Sequence, residues 1–240
     1  ENIPVFDTTA YDFTYYQLFR ENRFAGYDRV GDANNLTAAV TSRLIDQTTG
    51  IERFRTTFGN LAYFQGRQVT AGGPPLDTYS QSFSNLIGDV YGAITDNWSI
   101  YTAGQYNPSL NVIARGQAGL QYNNKQNQLL NLVYRYRTQQ GTDTCPPYDP
   151  QNPLLSTFSG CLNLTDVSMR LPILAGWYAI GRWQYSLLNN VTTESFFGFE
   201  RETCCWRFSL IGRRYLNTIN PDGTAQSNNA VFLQFELKGL

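Results

Sequence analysis

The chain of 240 residues has a net charge of −1, only 15% charged residues, and 16 Tyr and 15 Phe; soluble domains usually carry roughly 25% charge. A near-neutral balance argues against a nucleic-acid partner or an acidic tail, and the complete lack of histidine removes Ser–His–Asp, Cys–His and histidine–metal chemistry. No cofactor, metal or catalytic site is expected, and no run of apolar residues is long enough for a transmembrane helix. The length suits one large β domain or two small ones. The chain opens at Glu1 without a charged n-region or apolar h-region, which reads as a processed chain or a fragment. Four cysteines, an even number, fit an oxidising compartment and allow three connectivities if all pair internally.

Residues 1–33 are dense in aromatic and charged side chains but hold no long alternating run. Arg20, Arg23, Asp28 and Arg29 interleave with rings, so this segment reads as a long ordered loop folded inward; an ordinary surface loop is the alternative. Residues 34–240 read as strands. Leu36, Ala38, Val40 and Leu44 oppose Thr37, Thr41 and Arg43. After a turn at 47–50, Phe54, Thr56, Phe58 and Ala62 oppose Arg55, Thr57 and Tyr63. A Gly/Pro-rich connection over 66–78 leads to a strand at about 84–94, with Gly88, Val90 and Ile94 opposite Asp89 and Tyr91. It turns at 95–97, and residues 98–106 run back.

A loop at 107–110 precedes a strand over 114–122, where Gly116, Ala118 and Leu120 oppose Arg115, Gln117 and Gln121. In the next strand Leu130, Leu132, Tyr134 and Tyr136 face one way and Asn131, Arg135 and Arg137 the other. The longest loop, 141–163, holds Cys145 and Cys161. Val167, Met169, Leu171 and Ile173 then oppose Ser168 and Arg170, and residues 177–188 return with Arg182 and Gln184 inward. Residues 196–213 repeat the pattern around two adjacent cysteines. Phe197 and Phe199 lie opposite Glu200 and Glu202; Trp206, Phe208 and Leu210 alternate with Arg207, Ser209 and Arg213. A loop over 217–228 leads to the last strand, 229–240, where Val231, Leu233, Phe235 and Leu237 alternate with Gln234, Glu236 and Lys238.

The connections fall into two sets. Those near residues 48, 96, 125, 175 and 204 are short; those near 72, 108, 152, 190 and 223 are mostly longer. That asymmetry belongs to outer-membrane barrels, in which an apolar face meets lipid and a polar face lines the lumen. A soluble sandwich would also alternate, but its connections cross between two sheets, whereas this chain reads as a plain meander. The fold class is therefore all-β: an antiparallel up-and-down transmembrane β-barrel. About eleven strands are expected, an odd number, so the first and last run the same way and cannot close antiparallel on each other. An open edge in lipid leaves backbone groups unpaired, so these strands read as part of a larger barrel.

Three stretches carry a family resemblance. QLFRENRFAGYDRV (17–30), the Cys–Cys turn with its following strand, and the terminal VFLQFELKGL resemble LptD, the lipopolysaccharide-assembly proteins of Gram-negative outer membranes. The likeness runs through the whole chain in order and corresponds to the C-terminal part of that family's barrel, without its periplasmic jellyroll domain or first strands. It implies an integral outer-membrane protein, not an enzyme. Lipopolysaccharide would arrive along a periplasmic bridge through the missing N-terminal domain and leave sideways into the outer leaflet, among outer-membrane lipids. A lipoprotein resembling LptE would plug the lumen. On this likeness the last strand, with Asn229, Ala230, Val231, Leu233, Phe235 and Leu237, is one side of a lateral gate. Cys204 and Cys205 would bond to cysteines of the N-terminal domain. Adjacent side chains in an extended segment point to opposite sides, which suits two separate partners.

Cys145 and Cys161 stand outside the family motif. They bracket a loop, and a local disulfide there would stabilise by roughly 3 kcal/mol through loop closure. Arg43, Arg55, Arg115, Arg135, Arg170, Arg182, Arg207 and Arg213 face the lumen in this reading. They could meet lipopolysaccharide phosphates, or pair with lumen carboxylates or the plug. Two other functions fit the residues less well. A general porin or solute channel has no need of disulfides to a periplasmic domain, and an outer-membrane phospholipase or protease is disfavoured by the lack of histidine.

Overall fold

The computed structural model describes residues 9–10, 14–26, 28–70, 80–124, 126–138, 161–220 and 224–238. It is almost entirely strand. Two short pieces come first, β1 (Thr9–Ala10) and β2 (Phe24–Ala25), which pair with each other, with a 3-10 turn at Tyr15–Phe19 between them. The long strands follow: β3 (Asn35–Ile45), β4 (Glu52–Tyr63), β5 (Leu86–Ala93), β6 (Trp98–Asn107), β7 (Val112–Asn123) and β8 (Leu129–Arg137). After them come β9 (Leu162–Leu174), β10 (Trp177–Ser186), β11 (Val191–Glu202), β12 (Trp206–Ile219) and β13 (Ala225–Leu237). Each is hydrogen-bonded to its neighbours in sequence, giving one meander of eleven strands with β3 and β13 as its edges.

The chain divides into two compact units, one mainly of residues 1–90 and 103–114, the other mainly of 91–102, 115–140 and 144–240. In the first, β3 and β4 pair with Val40 opposite Phe58, Leu44 opposite Phe54, and Thr41 opposite Thr57. The apolar partners Val40, Leu44, Phe54 and Phe58 are exposed while Thr57 is buried. The 3-10 turn lies against that inner face. Leu18 is buried with Leu61 and Ile87, flanked by Tyr15, Ala39 and Tyr63, and the Thr37 hydroxyl donates to the Leu18 carbonyl at 2.9 Å. Gly59 is required here, because a Cβ would collide with the Leu18 side chain.

The loop beyond the turn is tied down by polar contacts. Asn22 Oδ1 accepts from the Gly31 amide at 2.9 Å and the Phe24 amide at 3.2 Å. Arg23 pairs with Asp32 at 2.8 Å and lies over the Phe24 ring, and Asp32 also accepts from the Gln68 amide. Partial burial works to raise the Asp32 pKa, but the Gln68 amide and the Arg23 guanidinium outweigh it and hold the carboxyl below its ordinary value.

In the second unit the same inversion runs through β8–β13. Val133, Gln184, Glu194 and Arg213 share the face that carries Asp166; Leu132, Val167, Trp183 and Ser195 share the other. Asp166 is 6% exposed and Glu200 8%, whereas Val231 is 76% and Leu233 69%. A water-soluble sheet would reverse this, since ionised groups stay in water and large apolar groups leave it. A wall with lipid outside and a polar interior gives the observed order. Trp98, Trp177 and Trp206 all stand beside short turns, with Trp98 packed on Tyr122 at 4.9 Å and Trp206 stacked on Phe235 at 6.1 Å. Amphipathic rings favour such membrane boundaries.

Several boundaries differ from the sequence reading. The final hairpin is longer: β12 runs to Ile219 and β13 starts at Ala225, across a bulge between Leu216 and Thr218. Residues 225–228 are polar or small, so no hydrophobic alternation marks them, yet backbone pairing continues past the apolar band. Likewise β9 starts at Leu162, inside the expected loop. Residues 141–160 of that loop, including Cys145, lie outside the described residues.

Candidate functional site

β13 is the element the functional reading depends on. One side pairs with β12 along its whole length, from Trp206 opposite Leu237 to Ile219 opposite Ala225. The sheet order ends there, so the other side has no strand partner among the described residues. Val231, Leu233, Phe235 and Leu237 project from the outer face and are all more than half exposed. Asn229 shares that face, opposite Arg214, whereas Ala230 sits opposite Arg213 on the inner one.

The inner face behind β13 is a ladder of ion pairs. Arg170 binds Glu200 at 2.7 Å and also Glu202, and its guanidinium lies 3.6 Å from the centre of the Tyr178 ring. Arg207 reaches Glu202 at 3.1 Å, Glu236 at 3.3 Å and Glu200 at 3.7 Å, and Lys238 also binds Glu202. A second cluster lies nearer the opposite end of the strands. Arg182 grips Asp166 at 2.5 Å and Glu194 at 3.7 Å, Arg213 meets Glu194 at 2.8 Å, and Arg135 comes within 4.0 Å of Asp166. In the first unit, Arg43 and Arg55 both reach Glu52, at 3.5 and 3.4 Å, and Arg55 also faces Asp89 at 3.9 Å. Arg115 faces the same way as Arg135 and Arg137 in the β7–β8 register. Arg43, Arg55, Arg135, Arg170, Arg182, Arg207 and Arg213 thus each meet carboxylates of the chain itself.

The β11–β12 turn presents the cysteines. The Thr203 amide donates to the Trp206 carbonyl at 2.9 Å, leaving Cys204 and Cys205 as the two turn residues. The Cys205 carbonyl accepts from the Lys238 amide at 2.8 Å, which ties the turn to the end of β13. Both thiols are free and exposed, with their sulfurs 2.8 Å apart. The turn therefore sets them side by side, unlike the opposed directions expected of an extended segment. The hydrogen bond and charge of Cys204 push the Cys205 thiol above its ordinary pKa. Cys161 is in a disulfide, and Cys145, its expected partner, lies outside the described residues.

Sequence reasoning missed Arg214 and Trp183 on the outer face; both could have been placed by continuing the alternation past Arg213 and Arg182.

Comparison with known proteins agrees with this geometry. Residues 1–177 match the family model described as LptD, LPS transport system D. An LPS-assembly protein LptD from Methylococcus capsulatus is 44% identical over 99% of this chain and 24% of its own length. Those of Nitrosococcus oceani and Chromobacterium violaceum are 35% and 36% identical over 99% and 100% of the chain, and 28% of their own lengths. The chain thus spans about a quarter of the relatives it matches. On the family match, the full-length coverage and the membrane-inverted meander together, the chain belongs to the LptD family.

Proposed function

We propose that this chain forms part of the wall of an outer-membrane barrel that releases lipopolysaccharide into the outer leaflet through a lateral seam at β13. The observation that carries the reading is an edge strand with lipid-compatible side chains, backed by a polar inner face and without a strand partner on its free side among the described residues. Membership of the LptD family supports lipopolysaccharide as the cargo in preference to the solutes of a general porin. The work is passage of an amphiphile rather than covalent chemistry. The inner ladder gives its polar head a hydrated, charged path, while the seam lets its acyl chains remain in lipid.

The same reading gives the remaining parts their roles. Cys204 and Cys205 bond to cysteines of an N-terminal domain that receives cargo from a periplasmic bridge. A lipoprotein resembling LptE occupies the lumen against the inner face. The arginines mainly hold the wall together through their carboxylate partners. Cys145 and Cys161 close the long loop.

The experiment is a seam lock in the full-length protein. One cysteine replaces Asn229 or Ala230, and another is placed on the strand that faces β13. Oxidation should stop delivery of lipopolysaccharide to the cell surface without unfolding the barrel, and reduction should restore it. Normal delivery from a fully crosslinked protein would rule out exit at this strand.

A further inference from the structure

The outer face of β9–β13 carries a groove of 690 Å³. Its axis is one row of the sheet, in which Met169, Gly181, Phe197, Gly212 and Val231 stand opposite one another across all five strands. Gly212 forms the open floor and the larger side chains form the walls, with Met169 and Phe197 closing over Gly181, where a Cβ would stand 3.2 Å from Met169 Cε. The neighbouring row, one step toward the longer connections, reads Val167, Trp183, Ser195, Arg214 and Asn229. An apolar trough therefore ends at a polar shelf, with a guanidinium on it.

Arg214 is unlike the other arginines of β12. Arg207 and Arg213 turn inward onto carboxylates, whereas Arg214 faces outward and has no carboxylate partner among the described residues. Its height on the wall accounts for its being tolerated there. It lies eight residues beyond Trp206 along β12, or about 20 Å up the barrel for a strand tilted by ~40° with a rise of ~3.3 Å per residue. The apolar band of such a barrel is ~25 Å tall. With Trp206 marking the lower boundary, the Arg214 backbone lies ~5 Å below the upper one, a gap its long side chain spans so that the guanidinium meets head groups rather than acyl chains.

We propose that this groove holds a lipopolysaccharide molecule beside the seam, with an acyl chain laid over Gly212 between Phe197 and Val231 and a head-group phosphate bound by Arg214. Asn229 and Ser195 supply flanking hydrogen-bonding groups, and Trp183 covers the boundary on the far side. Two observations select this occupant: the cation requires an anionic head, and Asn229 and Val231 of the groove belong to β13, so it opens directly onto the proposed exit. The proposal rests on the export reading, and its test is kept separate from export.

A photocrosslinking amino acid placed at Ser195 in the purified full-length complex, in detergent, should form an adduct with added lipopolysaccharide. Arg214→Ala should reduce the adduct about tenfold, the factor expected for loss of one charge-assisted contact, and Arg214→Lys should restore most of it. Gly212→Leu should reduce it similarly by filling the trough; a Cβ there finds only the Phe197 carbonyl oxygen at 3.8 Å, so the backbone need not move. Equal adduct in Arg214→Ala and wild type would overturn the site, as would an equal yield with phosphatidylglycerol in place of lipopolysaccharide. Surface delivery in cells is read independently. Loss of the adduct with normal delivery in Arg214→Ala leaves the site in place as a resting position, whereas normal delivery from the locked seam removes the export reading alone.

Discussion

At the scale of single residues, the cysteine turn and Asp32 give opposite titrations. The raised pKa of Cys205 leaves less thiolate near neutral pH than an ordinary cysteine would have. Alkylation of the reduced protein at Cys205 should therefore rise at higher pH than for an isolated thiol, and Cys204→Ser should move that profile back down. A profile unchanged by Cys204→Ser would mean that the two sulfurs do not interact. In the oxidised full-length protein the same residues should behave as a pair. Replacing both with Ser should shrink the mobility difference between non-reducing and reducing gels to that of the remaining disulfide at Cys161. Asp32 titrates the other way. Its folded pKa lies below the unfolded value of ~3.9, so its contribution is present above that pH and disappears as the pH falls through the folded pKa. Hydrogen exchange at the Gln68 amide, which donates to Asp32, should accelerate in Asp32→Ala at neutral pH. Unchanged protection would show that Arg23 and its other contacts hold the loop without Asp32.

At the scale of elements, the two faces of β8 make a controlled comparison. Leu132 lies on the outer face opposite Leu120 and Val167, and Asn131 on the inner face opposite Gln121 and Ser168. Leu132→Arg should impede insertion, costing about 2–4 kcal/mol if it lies near the midplane. Asn131→Arg should assemble normally, since Arg135 and Arg137 already occupy that face. Assembly yields in the outer membrane read the difference, and equal yields would point to a sheet with water on both sides. The strand faces were legible in the sequence because polar and apolar residues alternate wherever lipid touches the wall. Beyond the lipid the signal fades: Ala225–Asn228 continue β13 with no apolar residue larger than Ala to mark it. Leu18 was also illegible. Its burial depends on Gly59 and Ala39, which come beneath it only once β3 and β4 are paired, and no local periodicity encodes that. The charged ladder was half legible. Alternation placed the arginines inward, but their choice of carboxylate follows from cross-strand register, which bulges such as that between Gln184 and Tyr185 shift.

At the scale of the whole molecule, parity governs what the meander can do. Among the described residues, eleven strands in strict up-and-down order leave β3 and β13 running in the same direction. Antiparallel closure between them is therefore impossible, and every ladder bond on the two free edges must come from strands outside this segment or from a seam that opens. Unpaired backbone groups in hydrocarbon cost several kcal/mol each, so the edges cannot stay bare in a membrane. The 240-residue segment expressed alone and refolded in detergent should consequently lack the heat-dependent shift in gel mobility given by a closed barrel. The full-length relative that supplies the missing strands should show it. Supplying those strands as a separate polypeptide should restore the shift, because the edges at β3 and β13 then have partners. A segment that shifted on its own would mean that the edges close without them, and β13 could then no longer be one lip of a seam.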